Sequence, residues 1–154
     1  MPSNQNLLGA LPARFRRQRL LIIGCGDVGL RVARAQNAGL RVLALTSSPA
    51  RVPELRAAGV TPLLGNLDAA ASLARLGGLA TRVLHLAPPP GQAEAGSRWW
   101  LDSRSTALAR ALRRRGLPQA LVYASTSGVY GDCAGEWVAE SRPVAPATAR
   151  AQRR

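Results

Sequence analysis

The sequence contains no lysine. All 21 of its strongly basic residues are arginine, set against eight acidic residues and one histidine, His85, for a formal net charge of +13. Only two cysteines occur, Cys25 and Cys133, which excludes a disulfide framework. So few Cys and His residues also exclude a zinc-type ligand cluster, and no metal site is expected. A reducing cytoplasm is the default compartment. Aromatic residues make up 4% of the chain and are not interleaved with the arginines. No apolar run approaches the ~20 residues of a membrane-spanning helix. Residues 1–17 lack the apolar segment of a secretory signal and read as a flexible basic arm. There is no internal repeat or low-complexity tract. The arginines read as scattered along the chain, with short clusters at Arg14-Arg16-Arg17-Arg19 and Arg113-Arg114-Arg115. That pattern suits solvated helix faces, and nucleic-acid binding is the less favoured reading of the charge.

What is present is a length of 154 residues with 47% hydrophobic content, enough for one domain with a buried core. The chain is organised around Leu20-Leu21-Ile22-Ile23-Gly24-Cys25-Gly26-Asp27-Val28-Gly29. An apolar run enters a G-x-G-x-x-G turn, and a helical pattern leaves it. In a strand–turn–helix unit each glycine has a separate task. Gly24 permits the tight turn, Gly26 lets a pyrophosphate approach the backbone, and Gly29 lets helix pack on strand. The helix N-terminus, with Asp27 and Val28 in its first turn, then offers N–H groups and the positive end of its dipole to the phosphates. A glycine turn that binds nothing is the competing reading; the buried strand before it and the helix after it favour a dinucleotide.

The remaining pattern alternates strand and helix. Strands are predicted at Leu20–Ile23, Arg41–Leu45, Val60–Leu64, Arg82–Ala87 and Ala120–Ser125. Helices are predicted at Asp27–Ala38, Glu54–Ala58, Asp68–Leu76 and Arg98–Arg115, with another beginning after Pro146. This predicts an α/β, Rossmann-like, doubly wound parallel sheet over residues 18–154, with strand order 3-2-1-4-5 and a ligand crevice at the carboxyl ends of the first and fourth strands. Trp99-Trp100 is expected to place one ring in the core.

Cofactor choice is read at the end of the second strand. About 20 residues past the glycines, where an acid would hold the ribose 2′-OH of NAD, stand Thr46, Ser47 and Ser48, with Arg51 following. Hydroxyls and a guanidinium suit a 2′-phosphate, so NADP is favoured over NAD. Capping of the next turn by Thr46 and Ser47 is the alternative.

Behind the glycine motif come Gly65-Asn66-Leu67-Asp68, His85-Leu86-Ala87 and Val122-Tyr123-Ala124-Ser125-Thr126-Ser127-Gly128-Val129-Tyr130-Gly131-Asp132, in that order. From about Leu20 to Pro146 the chain resembles the extended short-chain dehydrogenase/reductase superfamily, of the NAD-dependent epimerase/dehydratase type. The resemblance implies that Asn66 and Leu67 contact adenine and that Leu86, Ala87 and Pro88 line the cofactor. It makes Thr126, four residues before Tyr130, the hydroxyl that hydrogen-bonds the substrate oxygen; satisfaction of local backbone is the alternative for Thr126. His85 is read as structural, and Cys25 as a spacer.

Three departures accompany the resemblance. The glycine pattern is shorter than the family's usual G-x-x-G-x-x-G. The Tyr-x-x-x-Lys pair falls on Ala147 and Ala151, which removes the phenol and the cation that lowers its pKa, and Arg150 cannot act as a base. The family usually runs to about twice this length, so the sheet is expected to be incomplete at its C-terminus. The resemblance implies an NAD(P)-binding domain of an oxidoreductase acting on a carbonyl or alcohol, such as a sugar nucleotide. A non-catalytic dinucleotide sensor or scaffold is the alternative, and a basic nucleic-acid binder ranks third. The expected partners are a small-molecule substrate and, through exposed apolar surface, a second copy of the chain.

Overall fold

A computed structural model describes residues 18–90 and 101–153. The predicted arm at residues 1–17, the tryptophan pair and the loop from Gly91 to Gly96 lie outside the described residues. Nine regular elements follow one another: β1 (Arg19–Ile23), α1 (Asp27–Arg34), β2 (Arg41–Thr46), α2 (Val52–Ala57), β3 (Thr61–Leu64), β4 (Arg82–His85), α3 (Ser103–Arg113), β5 (Ala120–Tyr123) and α4 (Ala149–Gln152). Short 3₁₀ segments cover Pro49–Arg51, Ala70–Leu76 and Ser127–Tyr130. The five strands form one parallel sheet in the order β3-β2-β1-β4-β5, as predicted.

The alternation of side chains along each strand divides the core in two. Leu21, Ile23, Leu43, Leu45 and Val83 face Leu73 and Leu76 of the 3₁₀ segment and Leu108, Ala111 and Leu112 of α3. Leu20, Ile22, Val42 and Ala44 face Leu30 and Ala33 of α1 and Leu55 of α2. β1 sits at the centre of the sheet and is covered on both sides, which is why its sequence is apolar without a break. At the outer edge of β5, Leu121 and Val122 are 48% and 59% exposed.

Several boundaries differ from the sequence reading, each for a local reason. α1 ends at Arg34 rather than Ala38: Gln36 Nε2 donates to the Val32 carbonyl and Leu40 N–H to Asn37, turning the chain early toward β2. The segment before β4 is 3₁₀ over Ala70–Leu76 instead of an α-helix from Asp68. Ser72 Oγ bonds the carbonyls of Asn66 and Ala69, and such side-chain bonds compete with the α ladder. β4 stops at His85 because the N–H groups of Leu86 and Ala87 both converge on the Ile23 carbonyl. α3 starts at Ser103, not Arg98, since Asp102 is its N-cap and accepts from the N–H groups of Arg104 and Ser105. β5 ends at Tyr123, two residues short of Ser125, and α2 begins two residues before Glu54, with Pro53 in its first turn.

The arginines, read as scattered along the chain, are gathered by the topology. In a parallel sheet all strands start at one edge, and the crossover helices end there. β1, β2 and β4 start at Arg19, Arg41 and Arg82. Arg34, Arg56 and Arg75 lie in the last turns of α1, α2 and the long 3₁₀ segment. Arg110 and Arg113 close α3, and Arg114 and Arg115 follow. The acids sit at the other end: Asp27 and Glu54 in first turns, Asp102 at the α3 N-cap, Asp68 after β3.

Because Leu108 is 1% exposed and joins α3 to the sheet, Leu108→Ala is expected to destabilise the fold by about 2–5 kcal/mol, read as a lowered midpoint in chemical denaturation.

Candidate functional site

At the carboxyl end of β1 the chain leaves a buried strand and turns within two residues. Gly26 N–H donates to the Gly24 carbonyl at 2.8 Å. Gly24 has φ +83°, and a Cβ there would lie 2.6 Å from the Ala87 nitrogen. Both the backbone sign and the close approach of the β4 exit therefore require glycine. Gly26 is different: its φ is −82°, and a Cβ would meet nothing within 4 Å. It borders open space and is the N-cap of α1, with no side chain capping the helix. The first i→i−4 bond is Leu30 N–H to the Gly26 carbonyl, so the N–H groups of Asp27, Val28 and Gly29 precede the ladder. Gly29 is buried, and its hypothetical Cβ would lie 3.1 Å from Cys25 Sγ and 3.2 Å from Ile22 Cγ2, so its task is packing. Burial pushes the Cys25 thiol above its ordinary range, with Arg51 partly opposing.

Gly24 and Gly26 open onto a cleft of about 380 Å³ at the switch point between β1 and β4. Thr46, Ser47, Ser48 and Arg51 form its β2 wall, Gly65, Asn66 and Leu67 its β3 wall, and Ala87, Pro88 and Arg104 its third wall. Among the described residues no carboxylate lines it, and the two charged residues that do are arginines. Arg51 donates from Nη1 to the Cys25 carbonyl at 2.7 Å and from Nε to Glu54 at 3.0 Å. That pair holds the Glu54 carboxyl below its usual range. Arg104 grips Asp68 with two bonds of 2.7 and 2.6 Å and reaches the Pro88 carbonyl at 3.2 Å. The guanidinium holds Asp68 below the ordinary carboxylate range. This is a clamp between the β3 exit, the β4 exit and α3.

The sequence-derived site residues separate into three groups. Gly24, Gly26, Thr46, Ser47, Arg51, Asn66, Leu67, Ala87 and Pro88 line the cleft together. Thr46 is buried and its hydroxyl serves the turn, accepting from Ser48 N–H at 3.2 Å. Asn66 accepts at Oδ1 from Asp68 N–H. Asp27 and Val28 are not among the residues that line the cleft: the Asp27 carboxylate pairs with Arg31 at 2.9 Å, and the Val28 side chain is 59% exposed. Leu86 packs into the core beneath α1 and α2 instead of lining the cleft. Thr126 lies apart from the cleft lining, as N-cap of the 3₁₀ segment Ser127–Tyr130, accepting from Gly128 N–H at 3.4 Å. Ala151 is buried in α4, with its Cβ 3.7 Å from where a Cβ on Gly128 would stand.

Sequence reasoning missed Arg104. Arg104 pairs with a residue 36 positions away, and nothing local distinguishes it from its neighbours. It also missed the network around His85. Ser105 Oγ donates to Asp102 Oδ2 at 2.5 Å, so its one proton is used. The 2.8 Å contact with His85 Nε2 then requires the histidine to carry the Nε2 proton and donate it. Tyr123 donates to the same carboxylate oxygen at 3.4 Å and meets the His85 ring edge-on. This buried chain ties β4 and β5 to the N-terminus of α3 and holds Arg104 over the cleft.

The family model described as NAD dependent epimerase/dehydratase family matches residues 20–151. Among solved structures, UDP-glucose 4-epimerase from Thermus thermophilus, determined in complex with NAD, is similar at 27% identity and TM-score 0.64, covering 87% of this chain and 46% of that one. A functionally unknown conserved protein from Silicibacter pomeroyi is 28% identical at TM-score 0.63, covering 89% and 45% of the two chains. A short-chain dehydrogenase/reductase superfamily protein from Agrobacterium tumefaciens shares the fold at 21% identity and TM-score 0.58, covering 87% of this chain and 41% of that one. This chain thus spans less than half the length of each of these structures. No curated protein sequence matches it. Among the described residues no helix is long and apolar enough to cross a membrane.

Ser105→Ala, which deprives the buried His85 Nε2–H of this acceptor, is expected to cost about 1–3 kcal/mol, read by denaturant titration. The Asp68–Arg104 pair stabilises the fold above the ordinary aspartate pKa of about 4 and loses that contribution as pH falls through the lowered folded value. The stability gap between the native chain and Arg104→Gln is therefore expected to stay constant near neutrality and shrink in acid, measured by denaturation across a pH series.

Proposed function

Because this chain belongs to the NAD dependent epimerase/dehydratase family, we propose that its cleft binds a nicotinamide dinucleotide, NADP in preference to NAD, as the cofactor domain of an oxidoreductase acting on a carbonyl or alcohol group. The observation that carries this reading is Gly26: a glycine with open space where its Cβ would stand, at the uncapped N-terminus of α1. The first-turn N–H groups there would hold the pyrophosphate, which needs the close backbone approach that Gly26 allows. Asn66 and Leu67 would flank the adenine. Ser47, Ser48 and Arg51 would take the 2′-phosphate, in a wall that no carboxylate of the described residues lines, with Glu54 held on Arg51 outside it. Ala87 and Pro88 would carry the nicotinamide half toward β5. When bound, the cofactor supplies hydride transfer to or from the substrate carbon. Thr126 accepts from Gly128 N–H, which leaves its own proton to donate to the substrate oxygen and polarise it. A sugar nucleotide is the substrate class in view, following the relative that is named for UDP-glucose.

A second reading rests on Ala147 and Ala151. With neither phenol nor ammonium at these positions, proton transfer has no donor there, and the domain would sense or present the dinucleotide without turning it over.

Titration with NADPH and NADH tests the proposal, with micromolar binding and preference for NADPH expected. A Cβ at Gly26 meets nothing within 4 Å, so Gly26→Val is expected to abolish cofactor binding while the chain stays folded, with a thermal melt lowered only by the poorer N-cap; retained binding would overturn the pyrophosphate assignment. Substrate-dependent NADPH oxidation that Thr126→Val removes would favour the enzyme. Binding without turnover across a panel of carbonyl and sugar-nucleotide substrates would favour the sensor.

A further inference from the structure

We propose that the amino-end pole of the sheet, opposite the cleft, binds the phosphate backbone of duplex nucleic acid. This inference is independent of what the cleft holds. The pole is one continuous surface: Arg41 N–H bonds the Gln18 carbonyl, Thr81 N–H the Arg19 carbonyl, and Gln119 N–H the Thr81 carbonyl. The turn before β4 packs on the end of α3, where a Cβ on Gly78 would stand 3.1 Å from the Arg115 Cβ. Ten arginines converge there from strand starts and helix ends. Among the described residues no strand start or connecting turn at this pole carries a carboxylate; the nearest on a helix is Glu54 of the six-residue α2, which Arg51 holds and on which Arg34 also acts. The ion pairs formed by described residues use Arg31, Arg51, Arg104 and Arg142, none of which belongs to this set.

Helix stability does not account for the arrangement. Cations at helix C-termini complement the dipole, but the strand starts gain nothing of the kind. Arg19 and Arg41 are paired in register on adjacent strands; Arg19 Nη1 donates to the Leu79 carbonyl, a neutral acceptor that leaves the like charges side by side for an external anion to relieve. The kind of anion follows from what accompanies the charge. The described aromatic residues Tyr123, Tyr130 and Trp137 all lie at or beyond the carboxyl end of β5, so the described residues give the pole no stacking surface for unpaired bases. Its single exposed large apolar residue among those described is Leu117, too little for the buried anchor of a protein interface or for insertion into a bilayer. Guanidinium groups without stacking or apolar anchors fit evenly spaced phosphates, positioned by charge and blind to sequence.

The test is fluorescence anisotropy of a short labelled DNA duplex titrated with the full chain between about 50 and about 200 mM NaCl. A single strand of the same sequence, vesicles containing phosphatidylserine, and polyglutamate serve as competitors. Affinity for the duplex is expected to fall steeply with salt and to be indifferent to sequence. The double variant Arg114→Gln/Arg115→Gln is expected to bind about tenfold more weakly at low salt, with a salt slope reduced by about 2. The control Arg142→Gln/Arg150→Gln removes the same charge elsewhere and is expected to change affinity less than about twofold. Thermal melts of both variants verify the fold. Equal losses in the two variants would overturn the assignment to this pole. Absence of duplex binding at low salt, or tighter binding of the single strand, the vesicles or polyglutamate, would overturn the assignment to duplex phosphate.

Discussion

The close approach of two backbones, Gly24 at the exit of β1 and Ala87 at the exit of β4, is the constraint on which the rest depends. At 2.6 Å from a hypothetical Cβ to the Ala87 nitrogen, no other residue fits at Gly24. The approach is held by the Ile23 carbonyl, which takes the N–H groups of both Leu86 and Ala87. Those bonds end β4, aim the proline run away from the sheet, and leave Gly26 on the open side of the turn. The cleft at the β1/β4 switch point is therefore a consequence of strand termination, and it exists before any ligand arrives.

The two poles of the molecule have opposite electrical character for a topological reason. Each crossover helix begins near the cleft and ends at the opposite edge. Acids in first turns and arginines in last turns each complement the dipole, so repeating the unit sums local preferences into a field across the domain. At the cleft end the field is managed in pairs. Glu54 and Asp68 do not enter the cleft but hold Arg51 and Arg104 at its wall. An anion reaching those arginines meets cations already oriented, and it must share them with their carboxylates.

Much of this was legible along the chain. The unbroken apolar run of β1 announced a strand covered on both faces, and the glycine spacing announced the turn and the helix behind it. Strand order followed from alternation alone, because right-handed crossovers leave few choices. The ends of elements were less legible: the early stop of α1 and the 3₁₀ segment depend on the side chains of Gln36 and Ser72 finding backbone carbonyls, a competition that hydrophobic periodicity does not register. The Arg104–Asp68 clamp was not legible at all, since it joins residues 36 positions apart through tertiary packing. The arginine pole lies between these cases. Its signal was present but was read along the sequence instead of by position within each element; an arginine that opens one strand and another that closes the preceding helix are neighbours in any parallel α/β fold.

The buried His85–Ser105–Asp102 chain shows how the departures from the family pattern leave the cleft intact. Proton transfer in the family falls on the Tyr-x-x-x-Lys segment, here Ala147 and Ala151 in or beside a four-residue helix. The cleft is built from the ends of β1, β2, β3 and β4 and from α3, and the C-cap of α4 reaches the β4 exit, where Arg153 Nη1 donates to the Pro90 carbonyl. The N-terminus of α3 is fixed by its own cap and by a histidine whose tautomer is forced by the serine, and Arg104 at the third wall is held further by Asp68 and the Pro88 carbonyl. The glycine turn and its arginine walls form one unit with the sheet, while Thr126 lies beyond β5 as the cap of the Ser127–Tyr130 segment.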